Sequence, residues 1–430
     1  MAQREPVPYP VRPITEEEFD GFVLVDNHAF HGSPLTAEHR ERVQSLFEMD
    51  RTLAAFDPDI GSPVGITIVY SLQLTVPGGS LPAAGVSWVG VLPTHRRRGV
   101  LRSLMRRQLA DISAAGREPL AVLWASEAGI YGRYGYGAAS WTLGFQAGRG
   151  EGALSPAGAR LLDAAGLRLR LADPADARAE LAKVFDAVLA TRPGFFARSE
   201  AWWRRALFDP EDRRKGASPL RCLLAEDDSG PRGYALYSGQ GGWDDETFLP
   251  DGTVTVRELV TADAAASAAL WSDLLSRDLT TTFRAQLRPA DDPLLPLLAD
   301  PRRVRPRISD ALWVRLIDVP RALAARRYSA PADVVIEVRD RELPANEGRW
   351  RLVTATHASH ADGLAADCTP TDAAPDLTLD VAELGAAYLG GTRLATLAGA
   401  GLVTESRPGA VRELTAAMAW DPAPWCPMIF

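Results

Sequence analysis

Apolar positions recur at helical spacing near the start of the chain and then change to the pattern of strands. Between residues 14 and 56 the spacing predicts two short helices. Thr15 is the expected N-cap of the first helix, with Glu18 three residues later. Residues 64–75 and 85–92 are rich in Val, Ile, Trp and Tyr and are bounded by Pro and Gly, so we predict two strands there, joined by the PGGSLPAAG turn region.

The pattern returns to helical spacing immediately after the second of these strands. Residues 99–115 are predicted to form a helix, and residues 120–126 a buried strand. The next stretch, EAGIYGRYGYG, begins as a short helix and ends in a glycine-rich turn. Strand, helix and strand in this order predict an α/β unit with a parallel strand pair.

The same order of elements occurs a second time. After a change of composition near residue 150, strands and helices alternate again up to a helix predicted at 263–278. This repetition indicates a duplicated fold. The second copy has TADAAAS at its strand-to-helix junction, without arginine or glycine. We therefore expect the two copies to differ in what they bind.

A third region begins near residue 308 and alternates strands with helices until the apolar end, WDPAPWCPMIF. We predict three domains, with boundaries at 1–150, 151–307 and 308–430. The predicted fold class is α/β (α+β).

Composition narrows the functional classes. The formal net charge of -8 over 430 residues disfavours a protein that coats nucleic acid, since phosphate binding needs a concentrated basic face. The three cysteines, Cys222, Cys368 and Cys426, lie far apart in no ligand-like spacing, so neither a disulfide framework nor a metal site is expected. No apolar run reaches the length of a membrane span, and the N-terminus has no signal-peptide pattern. We expect a cytoplasmic protein.

Three arginines and a glycine lie where a strand meets a helix, in the segment HRRRG. The first turn of a helix has unpaired N–H groups and a partial positive charge, which favours phosphate binding. Gly99 has no side chain to block this turn. Arg96, Arg97 and Arg98 add positive charge at the positive end of the helix dipole, where an ordinary solvated turn would not be expected to carry it. The junction predicts a pyrophosphate site. It is neither a Walker loop nor a Rossmann fingerprint, because both of those patterns are absent.

Arg96-x-x-Gly99 after the strand SWVGV resembles the acyl-CoA signature of GNAT acetyltransferases, [Q/R]-x-x-G-x-[G/A], although Leu101 departs at the last position. The longer segment VSWVGVLPTHRRRGVLRSLM, followed by ASEAGIYGRYGYG, resembles the Eis (enhanced intracellular survival) family. The downstream segments DALWVRLIDVPRALAARRY, CTPTDAAPDLTLD and YLGGTRLATLA are similar to the C-terminal region of that family.

The resemblance covers nearly the whole chain and implies its architecture. It implies an active GNAT domain, a degenerate GNAT copy and a sterol-carrier-protein-like domain. The implied activity is acetyl-CoA-dependent N-acetylation of a small-molecule or peptide amine by direct transfer. A homo-oligomer, specifically a hexamer, is a further expectation from the family.

The resemblance also assigns site residues. Tyr131 is the implied general acid, and the C-terminal carboxylate of Phe430 is the implied general base. The implied cofactor-binding residues are Val89, Val91, Arg96, Arg97, Arg98, Gly99, Leu101, Arg102 and Ser126. The implied acceptor-pocket residues are Phe30, Trp88 and Ile429.

Several alternatives stay open at this point. Tyr131 is also compatible with a core aromatic in a glycine-rich turn. His28 and His31 are candidates for substrate binding or for a base, although isolated histidines are also typical of an ordinary helix or loop. Glu127, beside the cofactor turn, is an alternative base or a carboxylate that offsets the dipole at a helix N-terminus. A non-catalytic acyl-CoA or lipid binding protein is the competing function.

The acceptor itself is not assigned by the sequence. Family members that modify aminoglycosides carry acidic pocket residues, one after the aromatic equivalent to Phe30 and one before the terminal phenylalanine. This chain has FHGSP in the first place and Ile429 in the second. Since two negative charges are missing, aminoglycoside acetylation is one option and another amine an equal one.

Overall fold

The computed structural model describes residues 9–355 and 363–430. Its first part, up to residue 139, contains six strands and four α-helices. The strands are β1 (Val11–Pro13), β2 (Thr52–Phe56), β3 (Pro63–Val76), β4 (Gly79–Val91), β5 (Leu120–Trp124) and β6 (Gly137–Ala138). The helices are α1 (Phe19–Phe30), α2 (Ala37–Gln44), α3 (Val100–Ala115) and α4 (Ala128–Tyr131).

Residues 140–311 contain seven strands and five α-helices. The strands are β7 (Trp141–Gly148), β8 (Arg168–Ala172), β9 (Arg221–Asp227), β10 (Gly230–Gln240), β11 (Gly252–Thr261), β12 (Thr280–Pro289) and β13 (Arg307–Asp310). The helices are α5 (Pro156–Ala164), α6 (Arg178–Leu189), α7 (Glu200–Ala206), α8 (Ala264–Leu275) and α9 (Leu294–Leu297).

In the described residues after 311 there are six further strands and four helices. The strands are β14 (Leu312–Leu316), β15 (Asp333–Arg339), β16 (Gly348–Thr354), β17 (Ala366–Pro370), β18 (Leu377–Asp380) and β19 (Val403–Glu405). The helices are α10 (Val319–Ala325), α11 (Val381–Ala387), α12 (Leu394–Gly399) and α13 (Ala410–Met418).

These elements form two compact units. The first unit combines residues up to 139 with 312–420 and 429–430. Its larger sheet has the strand order β1-β2-β3-β4-β5-β14-β6. Only β4 and β5 run parallel in this sheet, as the sequence predicts, and α3 connects them. Strand β14 pairs antiparallel with both β5 and β6, so a segment distant in sequence completes the sheet.

A second sheet of the first unit lies entirely in the last part of the chain. It has the order β17-β16-β15-β18-β19, with one parallel pair between β15 and β18. A buried ion pair between Arg315 and Asp340 joins β14 to the segment after β15, with Nη2 2.6 Å from Oδ2. Asn346 donates to the same carboxylate at 3.0 Å, so this buried charge is well compensated.

The second unit contains residues 140–311 and 421–428. Its sheet has the order β13-β7-β12-β11-β10-β9-β8, again with a single parallel pair, β11 and β12, which α8 connects. Each of the two seven-stranded sheets therefore contains a parallel pair joined by one helix. This topology confirms the duplicated fold.

Two details near the N-terminus differ from the sequence prediction. Thr15 does form the predicted capping box with Glu18, but this cap opens a single 3-10 turn that leads into α1. The helical spacing predicts residues 52–56 as part of the second helix, but they form strand β2, every residue of which is buried. Pairing with β3 explains the difference, because burial between neighbours outweighs a local helical pattern.

Candidate active site

The candidate site begins where β4 and β5 separate. These strands pair only from Ala83–Leu120 to Gly85–Val122. Three residues further on, Trp88 has a positive φ of 53°, and the register between β3 and β4 shifts by one residue. This β-bulge bends β4 away from β5. The backbone of β4 beyond Gly85 is therefore open on the side that faces β5.

A cavity of about 980 Å³ lies in the first unit beside this opening. It is lined by β4, by the turn and first helical turns of α3, by the segment around α4, by the end of α1, and by two residues after β15. Of the sequence-predicted site residues, this cavity brings ten together: Phe30, Val89, Val91, Arg96, Arg97, Gly99, Leu101, Arg102, Ser126 and Tyr131.

Gly99 precedes α3 with φ of 90°, a left-handed conformation that strains any residue with a Cβ. A Cβ at this position would meet no atom within 4 Å, so the backbone conformation is what requires glycine here. Arg96, Arg97 and Arg102 are exposed and form no hydrogen bond or ion pair with any described residue. They are therefore available to an anionic ligand.

Tyr131 ends α4 with its ring buried, at 4% exposure. Burial raises the pKa of its phenol to about 12, and a hydrogen bond from the Ser126 side chain lowers it in part. The phenol is therefore protonated at neutral pH. Tyr134 lines the same cavity, and burial also raises the pKa of its phenol.

Phe430 is buried, at 6% exposure, and lies at the separation of β4 and β5. The Ser87 hydroxyl donates a 2.8 Å hydrogen bond to the main-chain oxygen of Phe430. The ring packs over Gly85, where a Cβ would lie 3.3 Å from its Cε2 atom. Ile429, in contrast, is 50% exposed. Neither residue is part of the cavity lining.

Two other predicted residues also lie outside the cavity lining. Arg98 is exposed on the turn before α3. Trp88 packs in an aromatic cluster, 5.3 Å from the ring of Phe47 and 6.0 Å from the ring of Phe22. Its indole nitrogen donates to the Tyr70 hydroxyl at 3.1 Å.

The cavity also contains residues that the sequence did not indicate. Arg341 and Glu342 come from the last part of the chain, and Arg106 and Arg133 from α3 and the turn after α4. Arg106 donates to Glu342 at 2.9 Å. In all, six arginines line the cavity against two glutamates, which gives it a strong positive charge. Of these residues, only Arg106 could have been found from the sequence, because it lies one helical turn after Arg102 and therefore on the same face of α3.

Of the alternative candidates, only Glu127 lies in the cavity lining. Glu127 is the N-cap residue of α4, but its side chain forms no capping hydrogen bond. His28 is exposed on α1, and His31 ends that helix in a left-handed conformation.

The second unit differs at the equivalent separation of strands. Pairing of β11 with β12 ends at Val256 and Ala285. Beyond that point the guanidinium of Arg288 crosses from β12 and donates to the Leu259 carbonyl at 2.5 Å. The Trp425 indole donates to the Leu287 carbonyl at 2.6 Å. Side chains therefore occupy part of this opening, and the cavity beside Val256 and Leu287 has about 340 Å³, against about 980 Å³ in the first unit.

The helix that follows β11 also has the opposite charge at its start. Asp263 is the N-cap of α8 and accepts a hydrogen bond from Ala266 at 2.9 Å. A carboxylate thus occupies the helix N-terminus where α3 has Gly99 and free arginines. Phosphate would be repelled there.

Among the described residues, none of the helices combines the length and the hydropathy that crossing a membrane requires. The described part of the chain also contains no group of three or more His, Cys, Asp or Glu side chains arranged to hold a metal ion.

Three family models match the chain. Residues 10–139 and residues 194–316 each match a model described as an acetyltransferase (GNAT) domain. Residues 319–427 match a sterol carrier protein domain. These matches confirm the predicted fold class of two GNAT folds followed by a sterol-carrier-like region.

Relatives with similar sequences extend over most of the chain. An uncharacterised N-acetyltransferase of Streptomyces avermitilis is 45% identical over 97% of this chain and 98% of its own length. N-acetyltransferase Eis of Mycobacterium tuberculosis is 36% identical over 83% of each chain.

Solved structures agree with this assignment. Eis1 from Mycobacterium abscessus aligns with a TM-score of 0.78 and 34% identity, covering 98% of this chain and all of that one. A GCN5-related N-acetyltransferase from Anabaena variabilis has a TM-score of 0.81 at 19% identity and shows the shared fold. The chain is therefore an N-acetyltransferase and belongs to the Eis family of GNAT proteins.

Proposed function

We propose that the chain transfers the acetyl group of acetyl-CoA to an amine by direct attack. The observation that carries the proposal is the cavity itself, where the open edge of β4, the turn of Gly99 and the buried phenol of Tyr131 adjoin one space. Its volume of about 980 Å³ and its unpaired arginines suit a long, phosphate-bearing thioester.

Different groups of the chain would bind different parts of acetyl-CoA. The N–H groups at the start of α3 and the side chains of Arg96, Arg97 and Arg102 hold phosphate oxygens. The open edge of β4 at Val89 and Val91 hydrogen-bonds the pantetheine arm, and Leu101 and Ser126 line its path. Arg98 would act through its charge alone.

Tyr131 is the proposed general acid. The amine nitrogen forms a bond to the thioester carbonyl carbon, the carbon–sulfur bond breaks, and the phenol gives its proton to the leaving thiolate. The raised pKa, about 12, supports this role because the proton is present throughout the neutral range.

The carboxylate of Phe430 is the proposed general base, which accepts a proton from the acceptor amine. Its burial at the separation of β4 and β5 and its hydrogen bond from Ser87 support this assignment. Because none of the three cysteines adjoins the cavity, the chain offers no thiol for a covalent acyl-enzyme, which favours direct transfer.

The proposed acceptor is a small-molecule or peptide amine that enters beside Phe30. Trp88 and Ile429 are proposed to contribute to its pocket although they lie outside the cavity lining. The three-domain division at 1–150, 151–307 and 308–430 belongs to the same proposal, with only the first copy binding acetyl-CoA. The smaller cavity beside β11 and β12 and the carboxylate of Asp263 at the start of α8 support that restriction. Hexamer formation and a cytoplasmic location stay predictions.

The proposal is tested by incubating the protein with acetyl-CoA and a panel of amines, with mass spectrometry of the amines and calorimetry of acetyl-CoA binding. The expected result is binding of one acetyl-CoA per chain and a product heavier by one acetyl group. Binding without any acetylated amine would support the competing function, a non-catalytic acyl-CoA or lipid binding protein.

A further inference from the structure

One arginine of the cavity comes from the last part of the chain. Arg341 follows β15 and lies in the region that matches a sterol carrier protein domain. Its side chain is exposed and lines the cavity. Among the described residues it has no hydrogen-bond or ion-pair partner. The groups assigned above to the pyrophosphate and the pantetheine arm do not include it.

The backbone on both sides of Arg341 is held in place by buried groups. The carboxylate of Asp340, which is 2% exposed, accepts the main-chain N–H groups of Glu342 at 3.1 Å and of Leu343 at 3.0 Å. The same carboxylate forms the buried ion pair with Arg315. Leu343 is itself buried in a hydrophobic cluster with the apolar face of α3. The fold therefore fixes the main chain from which the exposed guanidinium of Arg341 extends.

Helix α3 holds this segment from the cavity side. Glu342 accepts a hydrogen bond from Nε of Arg106 at 2.9 Å. Arg106 lies in the second turn of α3, four residues after Arg102, which is proposed above to hold phosphate oxygens. The segment that carries Arg341 therefore adjoins α3 one turn beyond the proposed pyrophosphate site.

The positive charge of the cavity exceeds what the pyrophosphate uses. Three of its six arginines are already assigned to that group, and Glu342 offsets the charge of a fourth, Arg106. Arg133 and Arg341 stay unassigned. Burial raises the pKa of the Tyr134 phenol, and the charges of Arg133 and Glu342 both act on it, so Arg133 lies close to the same segment. The two remaining arginines suit a second, separate phosphate.

We infer that Arg341, together with Arg133, binds the 3′-phosphate at the adenosine end of acetyl-CoA and selects this cofactor over thioesters that lack that phosphate. The inference rests on the proposed function, because it concerns the cofactor of that reaction. This phosphate lies at the opposite end of acetyl-CoA from the thioester. The planar guanidinium matches phosphate oxygens in bidentate fashion. Arg341 is therefore a specificity residue, supplied by the last part of the chain.

The experiment measures the Kd of acetyl-CoA and of 3′-dephospho-acetyl-CoA by calorimetry, with the full chain and no acceptor. We expect the wild type to bind acetyl-CoA about 10-fold to 50-fold more tightly, since hydrogen bonds to a charged group are lost with the phosphate. Arg341→Ala should raise the Kd of acetyl-CoA about tenfold and leave that of the dephospho compound unchanged. Arg341→Lys should keep part of the preference, because it retains the charge without the fork.

The matched control is Arg339→Ala. Arg339 is an exposed arginine at the end of β15, two residues earlier, and lies outside the cavity lining. Both Kd values should stay at the wild-type level in this variant. A loss equal to that of Arg341→Ala would show that the binding depends only on the total charge of the protein, and would overturn the inference.

Two further results would overturn the inference while leaving the proposed function intact. The first is equal affinity of the wild type for the two thioesters, which needs no variant. The second is an Arg341→Ala protein that binds both thioesters more weakly by the same factor, or neither. A wild type that shows the expected preference but acetylates no amine would contradict the proposed function and support the inference. If the wild type binds neither thioester, both are wrong.

Discussion

The hydroxyl of Ser87, in β4, donates a 2.8 Å hydrogen bond to the main-chain oxygen of Phe430, which lies 343 residues later in the sequence. This contact lies where β4 leaves β5, at the same opening that borders the cavity. It links the residue proposed as general base to the strand proposed to bind the cofactor. Ser87 and Phe430 can be changed independently of each other.

Removal of this hydrogen bond by Ser87→Ala is expected to lower kcat about tenfold, because the carboxylate of Phe430 loses the donor that orients it. The KM for acetyl-CoA is expected to stay the same. Steady-state kinetics with acetyl-CoA and a saturating amine measure both quantities. Ser87→Thr keeps the hydroxyl and should retain activity.

The matched control for Ser87 is Ser80→Ala, which removes a hydroxyl from the same strand that only accepts a bond from Gln73. Its kcat should equal that of the wild type. Equal losses in the Ser80 and Ser87 variants would show that β4 is merely sensitive to substitution, and would remove the support that Ser87 gives to the base.

Tyr131→Phe is expected to lower kcat by about 100-fold, since the leaving thiolate loses its proton donor. Acetyl-CoA binding, measured by calorimetry, should change little. Because the pKa of the phenol is about 12, the ratio of wild-type to variant rates should stay constant up to about pH 10. Tyr134→Phe removes another phenol of the same cavity and is the control.

The turn before α3 provides a test of the phosphate site. Gly99→Ala places a Cβ on a backbone with φ of 90°, so either the chain is strained or the turn rearranges. We expect the Kd for acetyl-CoA to rise about tenfold, which corresponds to about 1.4 kcal/mol. Titration calorimetry gives the Kd directly.

Gly116→Ala, at the other end of α3, is the control, with φ of 62° and open space around the added carbon. It should reduce thermal stability by a similar amount without changing the Kd for acetyl-CoA. A comparable loss of affinity in both variants would contradict a specific role of the Gly99 turn.

The carboxyl of Asp26 predicts a pH dependence of stability. Its folded pKa of about 6 exceeds the unfolded value of about 4, so the folded state holds this proton more tightly. The resulting stabilisation is complete below pH 4 and is lost as the pH rises through 6. The Asp26→Asn variant has no carboxyl at this position, so its stability does not fall in this way as the pH rises. Its free energy of unfolding should therefore rise relative to the wild type between pH 4 and 6, by about 1–2 kcal/mol after allowance for partial exposure.

Denaturant unfolding at pH 4, 5, 6 and 8 measures this difference. The gain should reach a plateau above pH 7, because titration is then complete. A difference between the two proteins that is constant from pH 4 to 8 would mean that Asp26 titrates normally. Asp20→Asn, an exposed position on the same helix, controls for the loss of a surface charge.

Local patterns in the sequence predicted the local parts of the site. The capping box of Thr15, the parallel pair of β4 and β5 and the glycine before α3 all depend on neighbouring residues, and all three are present. The helical spacing of 99–115 also predicted a helix there, and α3 spans Val100–Ala115. These features follow from backbone geometry within a few residues.

Contacts between distant segments could not be obtained in this way. The sequence of residues 312–316 does not indicate that β14 completes the sheet beside β5. The sequence around Arg341 does not indicate that this residue lines a cavity formed mostly by the first 134 residues. The sequence pattern wrongly predicts helix at strand β2, because its five residues become fully buried only after β3 pairs with it. The fold supplies this information, and a single sequence does not.

The most direct test of the account compares three proteins in a thiol-release assay with acetyl-CoA and a panel of aminoglycosides, polyamines, lysine peptides and arylalkylamines. These are the chain ending at Phe430, its Tyr131→Phe variant, and the chain extended by two glycines so that the carboxylate is displaced. We predict turnover by the first protein and losses of about 100-fold in the other two, with acetyl-CoA binding retained in all three. Turnover at the wild-type rate by either altered protein would contradict the assigned acid or base.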